Sequence, residues 1–143
     1  MTHREPLEVL ASEASLHTVL RRTFSNGVDP AQVRREVTEL TADEIRAGLA
    51  ARDDGCAPPE RLFDVRYRDL VKDPLGTVRT IYDRFAMSLT SSTEERMQRY
   101  LAETPKDKHG AHEYSLAQFG LDPEEERARY RPYRERFLQG AER

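Results

Sequence analysis

Apolar residues recur at helical intervals through most of this chain. Leu7, Val9, Leu10, Leu16, Val19 and Leu20 fall mainly three and four apart, the spacing that gathers side chains on one helix face. Pro6 precedes them, and a proline in the first helical turn loses an N–H that would be unpaired anyway. The spacing predicts an amphipathic helix from Pro6 to about Phe24, stopped by Ser25-Asn26-Gly27. Asp29-Pro30 supplies a second cap and first turn, and Val33, Val37, Leu40, Ile45 and Leu49 form the next stripe. That helix frays into ARDDGCAPPE, the most linker-like stretch. The period then changes. Leu62, Phe63 and Val65 mark a short strand near 62–66. A short strand is not stable without a neighbour, so its partner sheet is expected to be missing or supplied by another chain.

Asp73-Pro74 repeats the capping signal, and Val78, Ile81, Tyr82 and Phe85 predict a helix behind it. Thr90 to Ser92 with Glu94 and Glu95 offers capping-box chemistry for a further helix, with Met97, Tyr100 and Leu101 as its buried face and Pro105 as its stop. Lys106 to Tyr114 reads as a polar loop. Asp122-Pro123, with Glu125 three residues after the cap, opens a last helix to about Phe137, with Tyr130, Tyr133 and Phe137 on one packing face. The expected organisation is one partial domain over 1–143. It comprises two helices over 1–54, a strand–turn–helix over 55–87, and a helix, loop and C-terminal helix over 88–143.

Composition narrows the function. Apolar residues make up 37% and charged residues 34%, which favours helices with wet outer faces. A net charge of −3 excludes the broad positive field that nucleic-acid binding uses, so basic residues must act locally. Cys56 is the single cysteine, which excludes an intramolecular disulfide and a cysteine-rich metal site; it falls in a loop expected to be exposed. The pair His109 and His112 lacks a third ligand nearby in sequence, so no metal is expected. No apolar run reaches membrane-spanning length. The N-terminus carries acids and no apolar signal segment, and a cytoplasmic location is the expectation.

Three places carry candidate chemistry. Arg4 stands just before the first helix, where free N–H groups and partial positive charge suit a phosphate, and its planar fork can grip two oxygens. Ser12 lies eight residues on, just over two helical turns. Tyr67 follows the predicted strand in Tyr67-Arg68-Asp69-Leu70 and offers an aromatic face. Lys106-Asp107-Lys108-His109-Gly110 combines mobile positive charge with a glycine that lets backbone approach closely. Arg21-Arg22 and Arg34-Arg35 read as solvated helix faces, and Phe119 and Leu121, with Tyr114, as anchors for the loop.

Together, THREPLEVLASEAS, the segment Arg61–Phe85 (RLFDVRYRDLVKDPLGTVRTIYDRF) and KDKHGAHEYSLAQFGLD resemble the C-terminal half of a sulfotransferase that uses 3'-phosphoadenosine 5'-phosphosulfate (PAPS). The resemblance runs from about Thr2 to Phe137. It implies an α/β fold: the C-terminal portion of a P-loop-like three-layer domain, mostly helical in this chain with one short parallel-type strand. By the same resemblance Arg4 and Ser12 would bind the 3'-phosphate, Tyr67 would contact adenine, and Lys108, His109 and Gly110 would belong to the loop over the nucleotide. Arg68 stands where the family has an acid, and Glu113 where a basic residue is common.

The activity so implied is transfer of a sulfonate from PAPS to a hydroxyl or amine of a small-molecule or carbohydrate acceptor, leaving PAP. The family's Gly-rich phosphosulfate loop and its catalytic base lie upstream of the resembling segments. No such loop occurs in this sequence, and no catalytic residue is assigned. The chain is expected to be truncated, either a fragment or a chain whose true start lies upstream, and to carry only the 3'-phosphate and adenine side of the site. Self-association through an incomplete core follows from that expectation. A non-catalytic helical interaction or nucleotide-binding module is the alternative.

Overall fold

The computed structural model describes residues 1–104 and 119–139. In chain order the elements are β1 (Thr2–His3), α1 (Pro6–Phe24), α2 (Pro30–Asp53), a 3-10 turn at Pro59–Arg61, β2 (Val65–Arg66), α3 (Tyr67–Lys72), α4 (Pro74–Arg84), α5 (Ser91–Glu103), α6 (Pro123–Arg129) and α7 (Arg131–Phe137). They fall into two compact units. One joins Met1–His3 to Pro58–His112; the other joins Arg4–Ala57 to Glu113–Arg143.

The first unit holds the sheet. β1 and β2 pair in parallel, with Thr2 opposite Val65 and His3 opposite Arg66. The Val65 N–H donates to the Met1 carbonyl at 2.8 Å, and the N-terminal ammonium donates to the Phe63 carbonyl. This corrects two expectations. The strand is confined to Val65–Arg66 rather than running over 62–66, because its partner β1 is two residues long and pairs with those two residues alone. It also has a neighbour in its own chain: β1 is two residues long, too short to show any period.

The expected tyrosine-bearing turn is a helix, α3, which starts at Tyr67 directly after β2. Asp73 caps α4 by accepting from the Gly76 N–H at 2.9 Å. A Cβ on Gly76 would stand 2.0 Å from Asp73 Oδ2, so the cap requires glycine there. α4 ends in a Schellman arrangement, with Met87 N–H on the Tyr82 carbonyl (2.8 Å) and Ala86 N–H on the Asp83 carbonyl (3.1 Å). Ala86 takes the left-handed position, φ 51°. Thr90 caps α5 by accepting from the Thr93 N–H. The expected buried face of α5 is corrected: Met97 is half-buried, but Tyr100 and Leu101 are exposed. Among the described residues of this unit only His3 and Val65 are buried.

The second unit holds the core. Leu7 and Leu10 of α1, Val33, Val37 and Ala42 of α2, and Tyr130 pack together, with Val28, Ile45 and Leu121 partly buried against them. Apolar burial of this kind is the main favourable term in folding. α1 therefore turns inward the face of Leu7, Leu10, Ala11, Ala14 and Thr18. Leu16, Val19, Leu20 and Phe24 are half or more exposed, which corrects the single stripe read from spacing. The small residues Ala11 and Ala14 are buried, and the bulkier apolar residues stand outside. Arg21 pairs with Glu36 between the two helices, and this bond together with Gln32 holds the Glu36 carboxyl below its usual range.

The last expected helix is two. Pro132 has no N–H, and its ring clashes with the carbonyl four residues back. The chain breaks at Tyr130 and restarts as α7. Tyr133 and Phe137 still share a face, ring centroids 5.2 Å apart, while Tyr130 is buried in the core. Cys56 is exposed, as expected.

Candidate functional site

In the second unit, Arg4 and Ser12 bracket the start of α1. Glu5 occupies the N-cap position but makes no side-chain cap bond, and Pro6 follows. The Glu5 carboxylate is turned instead to α7, where Oε2 accepts from Arg134 Nε at 3.0 Å. Arg4 is exposed, and its Nε donates to Glu8 Oε2 at 3.1 Å. Ser12 is half-buried one turn beyond Glu8. The arrangement puts a guanidinium beside a helix N-terminus whose N-cap acid faces elsewhere, a fitting place for an anion.

In the first unit, Tyr67 is half-buried at the junction of β2 and α3. Ahead of it, His3 is 2% exposed, with Nε2 2.7 Å from Asp64 Oδ1. Sequence reading passed over this pair. The only trace it leaves is a histidine beside Arg4 and an acid just before Val65, and nothing in the spacing joins residues 61 positions apart.

Lys108, His109, Gly110, His112 and Tyr114 lie outside the described residues. The segment just after them is described. Arg34 is not a solvated residue: its Nη1 donates to the carbonyls of Phe119 (3.0 Å) and Gly120 (2.9 Å). Gly120 has φ +62°, and a Cβ there would stand 2.6 Å from Arg34 Nη1. Leu121 reaches the core edge, as expected of an anchor.

Beside this turn is a cavity of about 220 Å³ whose lining includes Arg34, Thr38, Gly120, Glu126 and Arg129. Glu126 is 3% exposed. Arg129 Nε lies 3.1 Å from its Oε2. Burial raises the Glu126 carboxyl above its ordinary value, against the opposing pull of Arg129. Burial also pushes the Tyr130 hydroxyl up to about 12, helped by the Glu126 charge. That hydroxyl donates a long bond to the Thr38 carbonyl, 3.4 Å. No group of three or more potential metal ligands occurs among the described residues, and no described helix is long and apolar enough to cross a membrane.

The profile of the sulfotransferase family matches residues 1–91, more than half of the chain. The chain belongs to the sulfotransferase family. Two solved structures resemble this family member. The sulfotransferase STF9 from Mycobacterium avium shares 27% identity at a TM-score of 0.83, over 95% of this chain and 35% of that one. The sulfotransferase STF1 from Mycobacterium tuberculosis H37Rv shares 29% identity at a TM-score of 0.71, over 90% of this chain and 31% of that one. The chain thus spans about a third of the length of either. A comparison with curated proteins found no match. The mostly helical chain with its two-stranded parallel sheet corresponds to about a third of a sulfotransferase fold.

Proposed function

We propose that this chain carries the 3'-phosphate and adenine side of a PAPS site and binds PAP, the desulfonated product. The observation that carries the reading is the start of the chain. Arg4 directly follows β1, α1 begins two residues later, and Ser12 lies within that helix, eight residues from Arg4, a spacing the sequence resemblance also carries. Arg4 would supply a charged fork to the 3'-phosphate, Ser12 a hydroxyl donor, and Tyr67 an aromatic face for the base. Lys108, His109 and Gly110 would complete the phosphate side.

The whole reaction would be in-line transfer of the sulfonate from PAPS to an acceptor hydroxyl or amine on a small molecule or carbohydrate. The acceptor oxygen or nitrogen attacks sulfur, the bond from sulfur to the bridging phosphate oxygen breaks, PAP leaves, and the acceptor proton passes to a base. Such catalysis rests on positioning and on donors at the bridging and sulfonate oxygens. None of the residues assigned above does that work, so this chain by itself is proposed to bind PAP without turning PAPS over. Titration of the purified chain with PAP by calorimetry tests the reading. Saturable binding that falls with salt and with Arg4→Ala supports it, and a folded chain that takes up no PAP refutes it.

A second reading, a helical module that associates with itself or another chain, is favoured by one observation: the exposed row Leu16, Val19, Leu20 and Phe24 along α1.

A further inference from the structure

We infer that His3, bonded to Asp64, is a positioning residue for Tyr67 and through it for the adenine of the nucleotide. The inference rests on the PAP-binding reading above. His3, Asp64 and Tyr67 all belong to the first unit. A sheet of two short strands is marginal by itself, so its register needs more than its own ladder. His3 Nε2 lies 2.7 Å from Asp64 Oδ1. His3 is 2% exposed, and it shares the buried interior of this unit with Val65 alone among the described residues. A polar side chain at that depth costs stability unless it is bonded, and a bond to an ionised carboxylate is one of the stronger kinds. Backbone bonds such as Val65 N–H to the Met1 carbonyl are of a type that forms in any register. The side-chain pair forms in one. A slip by a single residue would turn His3 to the opposite face of the sheet, away from Asp64.

The strand so fixed delivers Tyr67. Asp64 immediately precedes β2, and α3 opens with Tyr67 immediately after it. His3 stands opposite Arg66, the residue before Tyr67. Arg66 occupies the N-cap position of α3 and makes no side-chain cap bond, so the start of α3 takes its place from β2 rather than from a cap. An aromatic ring stacks on a base only at the right height and tilt, and a ring already held there leaves less ordering to be done on binding.

The test is PAP titration of the wild-type chain, Tyr67→Ala, His3→Ala, His3→Gln and the double variant His3→Ala/Tyr67→Ala, each with its melting temperature recorded. Tyr67→Ala should weaken binding roughly tenfold, on the order of a lost base-stacking contact. His3→Ala should lose most of that same factor. His3→Gln carries an amide N–H in place of Nε2 and should recover binding. The double variant should bind no worse than Tyr67→Ala, because His3 acts only through that ring. Should His3→Ala fail to fold, Asp64→Ala replaces it in both backgrounds with the same expectations, since the Asp64 side chain is 39% exposed. Wild-type affinity in His3→Ala overturns the inference and leaves the PAP site standing. So does a double variant weakened by the product of the two single effects, or a His3→Gln that binds no better than His3→Ala. Wild-type affinity in Tyr67→Ala overturns it together with the adenine assignment. Absence of PAP binding by the wild-type chain overturns the whole site with it.

Discussion

Glu5 Oε2 accepts a hydrogen bond from Arg134 Nε at 3.0 Å, joining the N-cap of the first long helix to the last. The pair decides what the start of α1 presents. With its carboxylate drawn to Arg134, Glu5 makes no side-chain cap bond, and the Glu8 and Val9 N–H groups donate to the Glu5 carbonyl instead.

Arg134→Ala should therefore have two effects. It strands a partly buried carboxylate, costing about 1 kcal/mol of stability, read as a lower melting temperature. It also frees Glu5 to turn towards the helix start, where its negative charge competes with a phosphate, so PAP affinity should fall although Arg134 is not assigned to the nucleotide. Unchanged PAP affinity in a destabilised variant would show that the pair is structural only.

Glu126 makes stability depend on pH. Its carboxyl is raised by burial above the ordinary 4.5. The folded state then holds this proton more tightly than the unfolded state, so the contribution is present below 4.5 and is lost as pH rises through the elevated value. Glu126→Gln removes that loss. Its stability relative to wild type should increase with pH from 4.5 upward, measured by urea unfolding at a series of pH values. A second loss should occur from pH 10 to about 12, where Tyr130 ionises in the unfolded chain before it does in the folded one. A parallel pair of curves across the acidic range would contradict the assignment to Glu126.

Ala86 takes the left-handed position of the α4 cap without being a glycine. Ala86→Gly should stabilise the chain by about 1 kcal/mol through relief of that strain, offset in part by the greater freedom of glycine in the unfolded state. Thermal unfolding measures it, and a lower melting temperature would refute the cap reading.

Much of this was legible in the sequence where a local signal was complete. Pro6, Asp29-Pro30, Asp73-Pro74, Thr90 and Asp122-Pro123 each mark a helix start, because capping is decided within four residues. The failures have a common cause: they depend on partners far along the chain. Thr2–His3 becomes a strand only because Val65–Arg66 lies beside it. Arg34 looked solvated because its acceptors are 85 and 86 residues away. The face that α1 buries takes in Ala11, Ala14 and Thr18, which the spacing of large apolar residues does not mark. Pro132, by contrast, was a local signal, and the break it causes at Tyr130 could have been read directly.

The row Leu16, Val19, Leu20 and Phe24 should drive association. Sedimentation of wild type is expected to show a species heavier than the monomer that dissociates on dilution, and Leu20→Ser/Phe24→Ser should remain monomeric, since neither residue is buried. A wild-type chain that is monomeric at high concentration would refute self-association through this face.

The most direct test of the central claim is the affinity of the purified chain for PAP, compared with adenosine 5'-phosphate, which lacks the 3'-phosphate, in wild type and in Arg4→Ala. Wild type should bind PAP more tightly than the 5'-phosphate alone, and Arg4→Ala should erase this preference while leaving the weaker binding in place. Equal affinity for the two nucleotides in the folded wild-type chain would contradict a 3'-phosphate site at Arg4.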